Sequence, residues 1–153
     1  MESIKEIVDY IVENAVKLKN KYAEEKSASL DWVAIFTRSE EEFKDFLKKT
    51  NSLGEVIQDT ETGPIFKLNH PVKTKAGDLL IIKIRKPDKT RPQRGDGDFR
   101  IDNYVEFKKK CLTNKHFSLI ERKDHEMLEL KDDRFDVLVY FSNPPISKVL
   151  GVR

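Results

Sequence analysis

The sequence predicts an α+β fold in which two βαβββ modules form an incomplete barrel with a concave cleft, preceded by an N-terminal amphipathic helix. Two observations predict it. The N-terminus has an apolar stripe of helical period, and an order of strand, helix and three strands occurs twice along the chain. We expect a single domain with a helical extension, a first module, a crossover, a second module and a tail, at 1–29, 30–90, 91–97, 98–143 and 144–153.

The helical extension is predicted from residues 2–26, where apolar residues recur at spacings near three and four with Glu, Lys and Asn between them. This spacing is typical of an amphipathic helix with one face for the core or for a partner. Its charges leave no apolar run of the kind found in a signal peptide or a membrane span, so we expect no membrane association.

The first module begins with the segment LDWVAIFT, which is short and rich in β-favouring residues. Ser39 then precedes a stretch with an acidic first turn and a basic last turn, an order that favours a capped helix. The predicted strands EVIQD, PIFKLN and LLIIKIRKP complete the module, with a loop at HPVKTKAGD that contains His70.

The second module repeats this order with different residues. DFRID is a predicted strand, NYVEFKKKCLTN a helix, HFSLIER and EMLELK a hairpin, and FDVLVYFSNPP a last strand stopped by two prolines. The stretch RPQRGDGDF joins the modules. We interpret Gly95 and Gly97 as a turn and Asp98 as the start of the next strand, rather than as an adhesion tripeptide, a calcium loop or a phosphate cradle.

Composition limits the classes of function. A chain of 153 residues with 38% hydrophobic residues and nine Phe can bury a core. Lys and Arg number 29 against 27 Asp and Glu, a balance that removes the main electrostatic argument for a nucleic-acid partner. The single cysteine, Cys111, cannot form an internal disulfide, which favours a reducing, cytoplasmic setting.

The element order resembles the vicinal oxygen chelate superfamily, which has the glyoxalase and bleomycin-resistance fold. Within it, GPIFKLNHPV followed by LLIIKIRKPDKTRP and an Asp-rich entry to the next unit is similar to the YecM-like branch, with its additional N-terminal helix. The resemblance covers roughly 30–143 and rests more on element order than on identical residues. A ferredoxin-like βαββαβ arrangement is the structural alternative, and it leaves at least one of the eight predicted strands unused.

The resemblance implies a divalent metal held by side chains from the first and last strands of each module. By element order these positions fall near Trp32, Lys83, Asp98 and Tyr140, of which only Asp98 is an ordinary metal ligand. We therefore expect no cofactor and no standard metal centre. The alternative is an unusual divalent-metal site built from His70, Asp98, Glu129 or Asp31.

Period-two alternation selects the side chains that face the cleft. It directs the side chains of five residues into the cleft, where Trp32 forms a flat wall: Lys83, Arg85, Asp98, Arg100 and Tyr140. Such a set suits a small anionic, oxygen-rich metabolite, because Arg offers a fork to carboxylate or phosphate and Lys a point charge. The alternative is structural, with Lys83 or Arg100 pairing with Asp98 across adjoining strands.

Two functions follow. The first is a small-molecule-binding protein or an enzyme of the lyase, isomerase or dioxygenase type implied by the resemblance. In it Asp98 and Lys83 are the candidate catalytic residues, and Trp32, Arg85, Arg100 and Tyr140 bind the substrate. The second is a non-catalytic interaction module in which the N-terminal helix mediates partner contact or self-association as a homodimer.

Overall fold

The computed structural model describes residues 2–23 and 25–152, which form four helices and eight strands. The helices are α1 (Ile4–Tyr22), α2 (Glu40–Asn51), α3 (Tyr104–Cys111) and α4 (Ile146–Val149). The strands are β1 (Ser29–Phe36), β2 (Gly54–Thr60), β3 (Gly63–Thr74), β4 (Gly77–Arg85), β5 (Gly95–Arg100), β6 (Phe117–Glu121), β7 (Glu126–Leu130) and β8 (Val137–Asn143).

The strands form one mixed sheet in the order β2-β3-β4-β1-β5-β8-β7-β6. Most neighbours are antiparallel, but β1 pairs with β4 and β5 pairs with β8 in parallel. Since β2 and β6 are the two edges, the sheet does not close into a barrel. The structure therefore confirms the predicted mixture of helices and strands.

Helix α1 covers the centre of the sheet. It begins with a capping box, in which the Ser3 side chain accepts from the Glu6 N–H and the Glu6 carboxylate accepts from the Ser3 N–H. Its buried apolar face contacts β1, β5 and β8. That face is therefore used within the chain, and partner contact through α1 would have to use its polar side.

The two glycines of RPQRGDGDF lie in β5, where they were expected to form a turn. A Cβ on Gly95 would lie 2.2 Å from the Ala34 carbonyl oxygen and 2.6 Å from Ile11 Cδ1, and one on Gly97 would lie 3.1 Å from Ala15 Cβ. Gly97 thus lets α1 approach the strand closely, and Gly95 leaves room for both the Ala34 carbonyl of β1 and Ile11 of α1. Strand β5 begins at Gly95 instead of Asp98.

Two further segments differ from the prediction. Strand β3 continues through the predicted loop to Thr74, with a bulge between Lys67 and Val72, so His70 lies on a strand. The predicted tail contains α4, a short helix that no apolar period indicated. Ser39 caps α2 as predicted, accepting from the Glu42 N–H at 3.1 Å.

Side-chain alternation places the core on the helix-covered face of the sheet. Val33 and Ile35 of β1 and Ile82 and Ile84 of β4 belong to this core. The opposite face of the four central strands is left for a cavity. Within 2–23 and 25–152, no helix has both the length and the hydropathy needed to cross a membrane.

Candidate functional site

A cavity of about 430 Å³ lies against the sheet face opposite α1. Its floor comes from the four central strands, and its walls come from the β2–β3 connection, the β6–β7 hairpin and α4. The floor residues are Trp32, Ala34, Lys83, Arg85, Asp96, Asp98 and Tyr140. The cavity therefore collects side chains from both halves of the chain.

The middle of the floor contains two carboxyl groups from β5. Asp98 is level with Trp32 on one side and Tyr140 on the other, and Asp96 is level with Ala34 and Leu138. Because they are two residues apart, both side chains point to the same face of the sheet. Both are buried, and each keeps one oxygen, Oδ1, without a hydrogen-bond partner.

Burial raises the pKa of both carboxyl groups into the neutral range. For Asp96, burial and then the neighbouring Asp98 raise the pKa to about 8. For Asp98, burial raises the pKa to about 7, although the Ser142 hydroxyl opposes this by donating to Oδ2 at 2.6 Å. The indole N–H of Trp32 also lowers the pKa of Asp98, yet Nε1 does not reach ordinary hydrogen-bond geometry.

Three cationic side chains, which we call the cation group, meet at one end of the cavity: Lys83, Arg85 and Arg91. The Arg85 and Arg91 guanidinium carbons lie 5.7 and 5.9 Å from the centre of the Phe36 ring, so one aromatic ring positions both. Lys83 Nζ donates to Thr62 Oγ1 at 2.6 Å. Burial, followed by the charge of Arg85, lowers the pKa of Lys83.

The Tyr140 hydroxyl is already engaged within the protein. It donates to Glu129 Oε2 at 2.7 Å and accepts from Arg91 at 3.4 Å. Burial, and then the charge of Asp96, raises its pKa. Tyr140 therefore anchors Arg91 and does not offer a free donor to the cavity.

The wall opposite the floor has five apolar side chains and, on the β6–β7 hairpin, the polar residues Arg122, Asp124 and His125. Ile120 and Met127 of the hairpin and Ile146, Val149 and Leu150 of the C-terminal segment line it. This segment is attached to β1 through Asp31, which is 1% exposed. The Asp31 carboxylate accepts from the Ser147 backbone N–H at 3.0 Å and from the Ser147 hydroxyl.

Five of the six predicted catalytic and substrate-binding residues line the cavity: Trp32, Lys83, Arg85, Asp98 and Tyr140. Arg100 does not. Its guanidinium donates to Ser29 Oγ and the Leu30 carbonyl and lies 3.7 Å from Asp31. Arg100 is the last residue of β5, beyond the end of the cavity floor.

The predicted structural pairing of the inward charges is absent from the described residues. Lys83 donates to Thr62 and Arg100 lies beside Asp31, and no ion pair joins either to Asp98. The inward charges are therefore not neutralised by each other through direct contact.

The residues expected for an unusual metal site are dispersed. His70 is exposed on β3, Glu129 accepts from Tyr140, and Asp31 accepts from Ser147. Among the residues that the structure describes, no three His, Cys, Asp or Glu side chains form a group that could hold a metal ion.

The positions that the resemblance assigns to metal ligands do not fit a metal either. They meet in one cavity, but Trp32 has no ligating atom and Lys83 brings a positive charge. Only Asp98 among them supplies an ordinary donor.

Neither Asp96 nor Arg91 was predicted as a site residue, because both were assigned to the crossover between the two modules. The alternation that selected Asp98 also selects Asp96 once β5 is extended by one pair of residues. Arg91 lies outside any strand, and no period could have placed it.

No protein-family model matches the chain, and no curated protein matches it. A solved structure described only as "Structural Genomics, Protein EC4020" is similar to it, with a TM-score of 0.71 over 92% of this chain and 86% of that one. The two sequences are 12% identical, so the likeness shows the fold alone.

Proposed function

We propose that this protein binds a small anionic, oxygen-rich metabolite in the cavity and acts on it by proton transfer, without a metal centre. The observation that carries the proposal is the convergence of the cation group on one end of a cavity whose floor contains two buried carboxyl groups. Clefts that combine converging charges with shifted pKa values are typical of binding and catalytic sites.

The cation group would hold the anionic part of the ligand. Arg85 and Arg91 can each offer a planar fork to carboxylate or phosphate oxygens, and Lys83 adds a point charge. Arg91 takes the clamping role that the sequence assigned to Arg100.

Asp98 and Asp96 would carry the proton. Their pKa values of about 7 and about 8 let each exchange a proton near neutral pH, as a general acid or base must. Each also has a buried Oδ1 atom without a hydrogen-bond partner. A proton donated to a carbonyl or removed from the adjacent carbon is the reaction that this arrangement favours.

We also infer that the chain consists of two βαβββ modules of the vicinal oxygen chelate type. The strand order supports this: read inward from each edge, β2-β3-β4-β1 and β6-β7-β8-β5 have the same connectivity. Each half also has its parallel pair in the equivalent place. This inference concerns only the evolutionary origin of the fold. The proposed chemistry depends on the cavity and not on that origin.

Calorimetric titration with a panel of carboxylates and sugar phosphates tests the binding. We expect at least one class to bind, and Arg91→Gln to weaken that binding at least tenfold, since a charge-assisted hydrogen bond is lost. Lys89→Gln is the matched control, because Lys89 is exposed in the same connection and does not line the cavity. Absence of binding by every compound, or equal losses in both variants, would contradict the proposal.

Proton transfer is tested separately by deuterium exchange from solvent into a bound oxo acid, followed by NMR. Asp98→Asn should abolish exchange while leaving affinity within a few-fold, because Asn keeps the shape but cannot carry the proton. Exchange that persists in both Asp98→Asn and Asp96→Asn would show that neither carboxyl group transfers a proton.

A further inference from the structure

The cavity has a cationic end and an end where most of the lining side chains are apolar. The cation group lies at one end, with Thr62 and Gln58 beside it. At the other end, α4 and the hairpin contribute aliphatic and thioether side chains, the hairpin also contributes Arg122, Asp124 and His125, and Trp32 forms part of the floor. The face has a small apolar cluster of its own, in which Ile120 and Met127 pack against buried residues of β1 and β8.

The charge at the polar end is limited. Asp88 lies 3.8 Å from Arg85 and 3.9 Å from Arg91, and Glu129 also attracts Arg91. The negative charges of Asp88 and Glu129 thus offset part of the positive charge of the cation group. Of the charged residues that the hairpin contributes, Arg122 and Asp124 have opposite signs. Below about pH 7, where both β5 carboxyl groups are protonated, the surplus around the cation group is one positive charge, which suits one negative charge on a ligand.

Resting on the function proposed above, we infer that the ligand is a monoanionic carboxylic acid with a compact apolar body. Its carboxylate would contact the cation group, and its body would lie between Trp32 and the wall formed by Met127 and Val149.

The size and the lining of the cavity both support this ligand class. A volume of about 430 Å³ is at the small end of ligand pockets, which favours a compact molecule. Sugar hydroxyls placed against the apolar wall would lose hydrogen bonds to water without replacement, whereas an aryl or branched alkyl group would gain from burial.

The test compares three small anions by calorimetric titration: 3-phenylpropanoate, glutarate and glucose 6-phosphate. We expect 3-phenylpropanoate to bind at least tenfold more tightly than either of the others. Val149→Ser and Met127→Gln should each weaken its binding about threefold to tenfold, since apolar contact area is lost. Val105→Ser is the matched control, a helical valine that is exposed outside the cavity.

The outcomes separate this inference from the proposed function. Tighter binding of glutarate or glucose 6-phosphate that still depends on Arg91 would overturn the monoanionic, apolar ligand and leave the anion site intact. Equal effects of Val149→Ser and Val105→Ser would also overturn it. Binding of none of the three anions, nor of any other anion in the wider panel, would overturn both.

Discussion

Asp96 and Asp98 lie two residues apart on β5 and present both carboxyl groups, buried, to the same cavity. In a site shielded from water, a charge on Asp98 makes ionisation of Asp96 more costly and raises its pKa further above the value that burial alone would give. Lys83, Arg85 and Arg91 reduce that cost for Asp96 without contacting it directly. The charge of the cavity floor therefore changes with pH across the neutral range.

Replacement of Asp96 by Asn should remove part of the pH dependence of stability. Burial holds the pKa of Asp96 at about 8 in the folded protein, against about 4 in the unfolded chain. Between these values the unfolded state releases the proton and the folded state keeps it, so the free energy of unfolding falls as pH rises from about 4 to about 8. In Asp96→Asn the free energy of unfolding should fall less with pH, and at pH 8 it should exceed that of the wild type by about 1–3 kcal/mol.

Urea unfolding at pH 5 and pH 8, followed by the fluorescence of Trp32, measures this difference. Asp133→Asn is the control, because Asp133 is exposed and far in sequence from β5. A variant at Asp96 that is less stable than the wild type at pH 8 would mean that the folded protein favours the charged carboxylate, contrary to the prediction.

Removal of the Ser142 hydroxyl should destabilise the protein more at high pH than at low pH. The hydroxyl donates to Asp98 Oδ2 at 2.6 Å and favours the ionised form, which opposes the effect of burial on the pKa of Asp98. Without the hydroxyl, in Ser142→Ala, the pKa of Asp98 rises above about 7. Ionisation of Asp98 at high pH therefore costs the folded state more stability. We expect a cost of about 1–3 kcal/mol at pH 8 and a smaller one at pH 5.

The same unfolding experiment checks this prediction, with the exposed Ser118→Ala as the control. Equal costs of Ser142→Ala at the two pH values would indicate that the hydroxyl does not distinguish the ionised from the neutral carboxyl group.

Alternation along β1, β4 and β8 was enough to place Trp32, Lys83, Arg85 and Tyr140 on one face, because these strands have apolar residues on the other. Strand β5 has no such guide at its start, where Gly95 and Gly97 occupy the helix-facing positions. Side chains at these positions would meet α1, which is about 80 residues earlier in the chain, and at Gly95 also the Ala34 carbonyl of β1. No local pattern reports a contact of that kind, so Asp96 was placed in a turn.

Addition of a methyl group at Gly95 should disrupt the pairing of β1 with β5, whereas at Gly97 it should push α1 away from the sheet. At Gly95 a Cβ would overlap the Ala34 backbone oxygen at 2.2 Å, which cannot move without breaking the β1–β5 ladder. At Gly97 the nearest atom is Ala15 Cβ at 3.1 Å, which can shift by a few tenths of an ångström. We expect Gly97→Ala to cost about 1–3 kcal/mol and Gly95→Ala more.

Thermal unfolding of both variants measures the order of these effects. The double variant Gly97→Ala with Ala15→Gly provides a control, because removal of the Ala15 methyl group restores the space. A Gly95→Ala variant as stable as the wild type would contradict the close approach of the two elements.

Loss of the Ser147 hydroxyl should loosen the apolar wall of the cavity while the sheet stays intact. Asp31 is buried, and Ser147 satisfies it through both its backbone N–H and its hydroxyl. Ser147→Ala removes one of these hydrogen bonds, leaves a carboxylate oxygen beside Arg100 at 3.7 Å, and should cost about 1–3 kcal/mol locally. Hydrogen exchange should therefore quicken in 146–150 and stay unchanged in β5, since α4 is only one turn long and depends on this attachment. Faster exchange throughout the sheet would instead mean that Ser147 supports the whole fold, and unchanged exchange in α4 would mean that the backbone N–H of Ser147 alone is enough to hold the wall in place.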